Sequence, residues 1–131
     1  VNSGLNVALN NYCSEINHTG ALALRYQAIG LEDIVIDQTT AIAIYRIIQE
    51  LINNIIKHAS AKSAIVQVTK TDSQLLITVE DDGKGFDTTT LNHVKGIGWN
   101  NIRNRVEFLK GKLDVNSQPD TGTSILIELN V

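Results

Sequence analysis

The sequence predicts an α+β fold: a two-layer α/β sandwich whose mixed sheet of about five strands carries three helices on one face. Three observations lead there. The stretch Ala41–Ala59 sets Ile44, Ile47, Ile48, Leu51, Ile52, Ile55 and Ile56 at the i, i+3, i+4, i+7 spacing of an amphipathic helix. Short alternating apolar segments occur in pairs joined by turn residues, as in hairpins. The element order is helix, strand, helix, strand, strand, helix, strand, strand. It lacks the regular alternation of a doubly wound fold, so the helices are expected to cover a single face.

Taken in order, Leu5, Leu9, Tyr12 and Ile16 recur at spacings of four and three, so residues 1–17 read as a helix that Thr19-Gly20 stops. Ala21–Ile29 alternates Leu22, Leu24 and Tyr26 and reads as a strand. A connection follows, with a short extended piece at Ile34-Val35-Ile36. Asp37 or Thr39 is positioned to cap the second helix, which begins near Gln38. Ala64–Lys70 and Gln74–Asp81 form a hairpin around Thr71-Asp72-Ser73. The interval Asp81–Gly98 is the least regular and holds four of the nine glycines. Trp99–Lys110 returns to helical spacing through Ile102, Val106 and Leu109, and Gly111 stands where a C′ glycine ends a helix. Leu113–Asn116 and Ser124–Leu129 close the chain as strands around a turn at Gln118–Gly122.

With 131 residues, 43% apolar and 19% charged, residues 1–131 form one domain with one core. A net charge of −3 gives no field that attracts nucleic acid, so no nucleic-acid partner is expected. The single cysteine, Cys13, rules out an intrachain disulfide and fits a reducing cytoplasm; it reads as a packed side chain. No apolar run approaches the roughly 18–20 residues of a membrane span. The chain opens at Val1, without a methionine and inside a helical pattern, so it is expected to be a piece of a longer protein.

Four features carry chemistry. On the second helix, the steps from 50 to 54, 54 to 57 and 54 to 58 return to the same face, so Glu50, Asn54, Lys57 and His58 share one stripe. That stripe is either a solvated polar face or a wall of a site. In Asp81-Asp82-Gly83-Lys84-Gly85, after a strand, two glycines allow a sharp turn and close approach of a ligand. A carboxylate fixed there can accept a hydrogen bond from an exocyclic amine such as adenine's. Gly96-Ile97-Gly98 precedes a helix, whose free N–H groups and positive dipole end suit phosphate. Gly122-Thr123 places a hydroxyl at the entry to the last strand.

Together, in this order, these motifs closely resemble the ATP-binding domain of sensor histidine kinases, in the GHKL superfamily shared with gyrase, the Hsp90 chaperones and the MutL mismatch-repair proteins. The resemblance runs from about Gly20 to Val131. QELINNIIKHASA looks like the family's N box, DDGKGF like its G1 box and GIGWNNIRNRV like its G2 box. The run from Asn101 to Leu113 is similar to the nitrate-sensor and desaturase-sensor subfamily. Only ten residues, Phe86 to Lys95, separate Gly85 from Gly96, a short lid that suits that subfamily.

The resemblance implies a Bergerat-type sandwich that binds ATP with Mg²⁺. By it, Asn54 coordinates Mg²⁺, and Glu50 serves as the catalytic group, through metal support or acid–base help. Lys57 reaches phosphate; His58 does likewise or caps the helix C-terminus. Asp81 accepts the adenine amino group with support from Thr123, Gly83 and Gly85 shape the pocket wall, and Gly96 and Gly98 admit the phosphates and hinge the lid. His93 in the lid and Arg103 and Arg105 beyond it are expected to face solvent or a partner. The phosphoacceptor histidine is expected in an upstream dimerisation domain, because His18 lies in a turn and His58 in the N box. The fragment is therefore expected to be monomeric and not to phosphorylate itself. The parent is expected to be a cytoplasmic homodimer serving a response regulator, with or without an inner-membrane anchor. Competing readings are an anti-sigma-factor-type serine kinase, a stand-alone ATPase module and a scaffold that binds no nucleotide.

Overall fold

The computed structural model describes residues 3–31, 36–84, 99–117 and 120–130. Helix α1 (Ser3–Thr19) leads into strand β1 (Ala23–Ile29), and α2 (Gln38–Asn54) continues into a π-helical turn at Ile55–Ala59. Strands β2 (Ser63–Thr71) and β3 (Gln74–Asp81), helix α3 (Trp99–Phe108), and strands β4 (Lys112–Ser117) and β5 (Thr123–Asn130) complete the order. The five strands form one mixed sheet in the order β1-β2-β3-β5-β4. β1 and β2 are parallel because α2 carries the chain back between them, whereas β2–β3 and β4–β5 are antiparallel hairpins and β3 pairs antiparallel with β5.

This is the expected two-layer α+β sandwich. Period-2 alternation turns Val66, Val68, Leu75, Ile77, Val79, Ile125, Ile127 and Leu129 to one face, where all are buried. Ile44, Ile47, Ile48, Leu51 and Ile52 of α2, Leu5, Leu9 and Cys13 of α1, and Ile102 and Val106 of α3 join the same core. Each such aliphatic side chain contributes about 1.5–3 kcal/mol by leaving water. Cys13 is 2% exposed, and burial pushes its thiol up to about 11, which makes it a packed and unreactive group.

Several local expectations change. The chain leaves α1 through Gly20 at φ +75°, but the helix runs to Thr19, so His18 lies in its last turn rather than in the connection. Asp37 is the N-cap of α2 without a side-chain bond; its carbonyl accepts from the Ala41 N–H at 3.0 Å. The turn between β2 and β3 has two residues, Asp72-Ser73, since Thr71 and Gln74 are already paired. After α3, the left-handed residue is Lys110 (φ +57°), not Gly111. The Gly111 N–H reaches the Val106 carbonyl at 2.9 Å and the Lys110 N–H reaches Glu107 at 2.9 Å, a Schellman closure one residue earlier than expected. Gly111 is required for space, because a Cβ there would press on Leu129 and the Glu128 carbonyl. The piece Ile34-Val35-Ile36 lies outside the described residues except for Ile36, which is buried.

Strand β1 is an edge strand, and Asn17 closes part of that edge. Its Nδ2 donates to the Leu24 carbonyl at 2.6 Å, and its Oδ1 accepts from the Leu24 N–H at 2.7 Å. One carboxamide thus mimics a neighbouring strand and blocks an open hydrogen-bonding edge. Replacing Asn17 with Ala is expected to cost about 1–2 kcal/mol in a urea titration, since both bonds go while water reaches the freed groups. A change below a few tenths would show the edge to be indifferent to it.

Candidate functional site

One row of paired residues crosses the sheet near one end: Leu24, Ala64, Asp81, Thr123 and Ser117 are successive partners on β1, β2, β3, β5 and β4. The next inward row, Val66, Val79, Ile125 and Val115, is apolar. The core therefore ends in a polar strip of Asp81, Thr123 and Ser117. Alternation dictates this, because Val79 and Asp81, Ile125 and Thr123, and Val115 and Ser117 each share a face.

Asp81 is half-buried. Its Oδ1 accepts from the Gly83 N–H at 2.8 Å. Burial pushes its carboxyl above the ordinary aspartate range, and the backbone N–H groups of Gly83 and Thr123 partly offset this by favouring the anion. Asp82 behaves oppositely. It is exposed, its Oδ1 accepts from the backbone of Lys62 (2.9 Å) and Ser63 (3.0 Å), and its Oδ2 accepts from the Ser63 hydroxyl (2.9 Å). Those bonds hold its carboxyl below the ordinary range. Adjacent carboxylates thus divide their work: Asp82 fastens the turn to the start of β2, while Asp81 keeps an oxygen at the end of the polar strip.

The turn after Asp81 is joined to α2's end. The Lys84 N–H donates to the Ala59 carbonyl at 2.7 Å, and the Lys84 carbonyl accepts from the Asp120 N–H of the β4–β5 turn. Gly83 is glycine because of this joint. A Cβ there would overlap the Ala59 carbonyl oxygen, although the backbone of Gly83 needs no positive φ. Close packing of two backbones is thus a reason for glycine at this position that the sequence does not display.

The helix expected to run regularly to Ala59 changes at Ile55–Ala59 into a π turn, which Ser60 ends in the left-handed conformation at φ +53°. Bonding from i to i+5 widens the turn, so the α-helical count from Asn54 to Lys57 no longer holds. The stripe changes in exposure along its length. Glu50 and Asn54 are one α turn apart and half-buried, while Lys57 and His58 are exposed on the π turn. The Nδ2 of Asn54 is itself fully buried and has no hydrogen-bond partner among the described residues. Such an atom costs about 1–3 kcal/mol, a cost that folding alone does not recover.

Thr123 is 8% exposed and Ser117 5%, and their hydroxyls lie 2.8 Å apart. None of the sequence motifs marks Ser117, although alternation from Leu113 and Val115 places it inward. Gly122, at φ +83°, packs against the Asp81 carbonyl and leaves no room for a side chain. Arg103 and Arg105 are half-buried rather than fully solvated. Gly85, Gly96, Gly98 and the lid with His93 lie outside the described residues. A groove of about 790 Å³ between α1 and the first half of α2, lined by Leu5, Ile42 and Tyr45 among others, contains none of these residues. Among the described residues no cluster of three or more His, Cys, Asp or Glu side chains is poised for a metal. A carboxamide such as Asn54's suits instead a hard cation that takes most of its oxygens from phosphate and water.

The polar strip thus lies at the end of the mixed sheet to which the end of α2 is bonded through the turn after Asp81. The chain belongs to the histidine kinase-, DNA gyrase B- and HSP90-like ATPase family, whose model matches residues 39–131. Among curated proteins it is similar to the signal transduction histidine-protein kinase/phosphatase DegS of Brevibacillus brevis, 33% identical over 90 residues, covering 69% of this chain and 23% of that protein. It is also similar to the signal transduction histidine-protein kinase/phosphatase UhpB of Salmonella typhimurium, 30% identical over 95 residues, covering 72% of this chain and 19% of that protein. The chain thus spans about a fifth to a quarter of these relatives. Among solved structures, the histidine kinase domain of the Erythrobacter litoralis EL346 blue-light activated histidine kinase superposes with a TM-score of 0.77 at 29% identity, over 96% of this chain and 60% of that one. Among the described residues no helix is long and apolar enough to cross a membrane.

Proposed function

We propose that this domain binds ATP with Mg²⁺ and supplies the γ-phosphoryl group to a histidine outside these 131 residues, as the catalytic part of a two-component sensor kinase of the short-lid nitrate-sensor and desaturase-sensor kind. The observation that carries the reading is the Nδ2 of Asn54, buried and without a hydrogen-bond partner among the described residues, on a helix whose end is bonded to the turn following Asp81. The two ends of a carboxamide have the same shape, so half a rotation of Asn54 offers oxygen in place of nitrogen to a cation. Bound Mg²⁺ supplies charge neutralisation across the phosphates. Asn54 holds it, Glu50 supports it from one turn away, and Lys57 and His58 approach the phosphates from the π turn as exposed basic side chains. Asp81 accepts the adenine amino group, with Thr123 beside it. Gly83 keeps the wall closed, and the resemblance gives Gly85 to the same wall and Gly96 and Gly98 to the admission of the phosphates. The remaining chemistry is positioning of the γ-phosphoryl group for an in-line nucleophile.

The partners in this reading are an upstream dimerisation and phosphoacceptor domain and a response regulator, with the parent a cytoplasmic homodimer. The domain is a monomer that does not phosphorylate itself. Calorimetric titration with Mg²⁺ and a non-hydrolysable ATP analogue tests the reading; absence of heat from the unaltered chain refutes it. Asp81→Asn is expected to weaken binding roughly 10- to 150-fold, the equivalent of losing a charged hydrogen bond of about 1.5–3 kcal/mol. The same substitution is expected to stabilise the nucleotide-free protein at neutral pH. Because Asp81's pKa is raised on folding, the native state holds its proton to higher pH than the unfolded chain, and stability falls as pH rises through that interval. The substituted carboxamide does not titrate, so melting curves of the two proteins should converge in acid.

A further inference from the structure

We propose that Ser117 is a positioning residue of the base-binding end, which directs the Thr123 hydroxyl proton and thereby favours a 6-amino over a 6-oxo purine. The inference rests on the nucleotide reading above and adds to it a residue and a selectivity.

The placement of two hydroxyl protons decides the polarity of this corner. Ser117 and Thr123 are the buried polar side chains among the described residues, and they are cross-strand partners on β4 and β5. The Ser117 Oγ donates to the Gly122 carbonyl at 3.2 Å and lies 2.8 Å from the Thr123 Oγ1. A hydroxyl has a single proton to give, and a carbonyl can only accept. With the Ser117 proton directed to Gly122, the short contact is closed by Thr123 donating to Ser117. That leaves the Thr123 oxygen with lone pairs alone. Thr123 is also the strand partner of Asp81, whose carboxylate is an acceptor when ionised.

The inner end of the strip therefore offers acceptors from two adjacent strands. Acceptors suit an exocyclic amine, directly or through a water that the amine orients. They oppose a ring carbonyl, because a buried acceptor facing another acceptor leaves both unpaired. Adenine carries the amine at position 6 and hypoxanthine carries the carbonyl. Without the Ser117 hydroxyl, the Thr123 proton is free to turn toward the ligand, and the strip tolerates either base.

The test measures dissociation constants for Mg²⁺–ATP and Mg²⁺–ITP by competition against a fluorescent ATP analogue. The unaltered protein is expected to prefer ATP by roughly 10-fold or more, as one unpaired buried polar group implies. Ser117→Ala is expected to shrink that preference at least about 5-fold, with ITP binding held or improved. Ser117→Thr, which keeps a hydroxyl, restores it. In a Thr123→Val background, Ser117→Ala should change the preference no further, because Ser117 acts through that hydroxyl. Should Ser117→Ala melt too early to titrate, Ser117→Cys, of similar size but a poor donor, is read in the same way. Equal weakening of ATP and ITP, an unchanged preference, or additive effects in the double variant would each overturn the role of Ser117 while leaving ATP binding intact. Failure of the unaltered protein to bind either nucleotide overturns this inference and the nucleotide reading together.

Discussion

Asn54→Leu should abolish Mg²⁺-dependent binding of an ATP analogue while raising the melting temperature of the nucleotide-free protein. The two effects have one cause. The Asn54 Nδ2 is buried without a hydrogen-bond partner among the described residues, so the free protein carries an uncompensated desolvation of about 1–3 kcal/mol. Leucine has nearly the same shape and no polar atom, and it ranks above asparagine as a helix former. Relief of even about 1 kcal/mol corresponds to roughly 2–5 °C in melting temperature for a domain of this size. The lost group is the proposed cation ligand, and outer-shell partners alone are typically worth about 10- to 100-fold in metal affinity, so more than about 100-fold is expected here. Differential scanning calorimetry and analogue titration in the presence and absence of Mg²⁺ read the two halves separately. A variant that melts lower and still binds would mean that Asn54 holds the fold rather than the ligand. This exchange of stability for function is expected wherever a site keeps a polar group waiting for its ligand.

Gly122→Ala should destabilise the domain by about 3 kcal/mol or more, among the largest effects a single methyl can have here. Its φ of +83° already disfavours any L side chain, by about 1–2 kcal/mol. The added Cβ would also overlap the Asp81 carbonyl oxygen, part of a strand that cannot move without breaking its pairing with β5. The midpoint of guanidinium unfolding should therefore fall with an unchanged slope. Since the displaced atom belongs to Asp81 and the next residue is Thr123, analogue binding should weaken together with stability. A loss below about 1 kcal/mol would mean that the turn relaxes freely, contrary to its bond between Asp120 and Lys84.

Much of this was readable from the residues in order. The spacing of Ile44, Ile47, Ile48, Leu51 and Ile52 specifies a helix with one buried face, because helical period and apolar period coincide. Alternation in Leu75, Ile77 and Val79, and again in Ile125, Ile127 and Leu129, specifies strands and their inner face. The two-hairpin sandwich follows from these and from the short turns between them. The boxes from which the site is proposed were legible in the sequence, and the family is the one that residues 39–131 match.

What remained hidden depends on groups far apart in the chain. The parallel pairing of β1 with β2 leaves an edge that Asn17 closes, and no local pattern marks Asn17 for that task. The π turn at Ile55–Ala59 interrupts the α-helical count of a stripe that the sequence draws as continuous, because a change of helical pitch leaves the apolar spacing nearly intact over five residues.

The sequence by itself determined which segments are helices and strands, which faces they bury, and which polar residues gather near the ends of those segments. These are consequences of periodicity and of residue chemistry, both local properties. Only the tertiary structure decided that Gly83 must be small for the Ala59 carbonyl, that Ser117 meets Thr123, and that the Asn54 Nδ2 is buried with no partner among the described residues. Each of these is a contact, or a missing contact, between residues that become neighbours only once the sheet register is set.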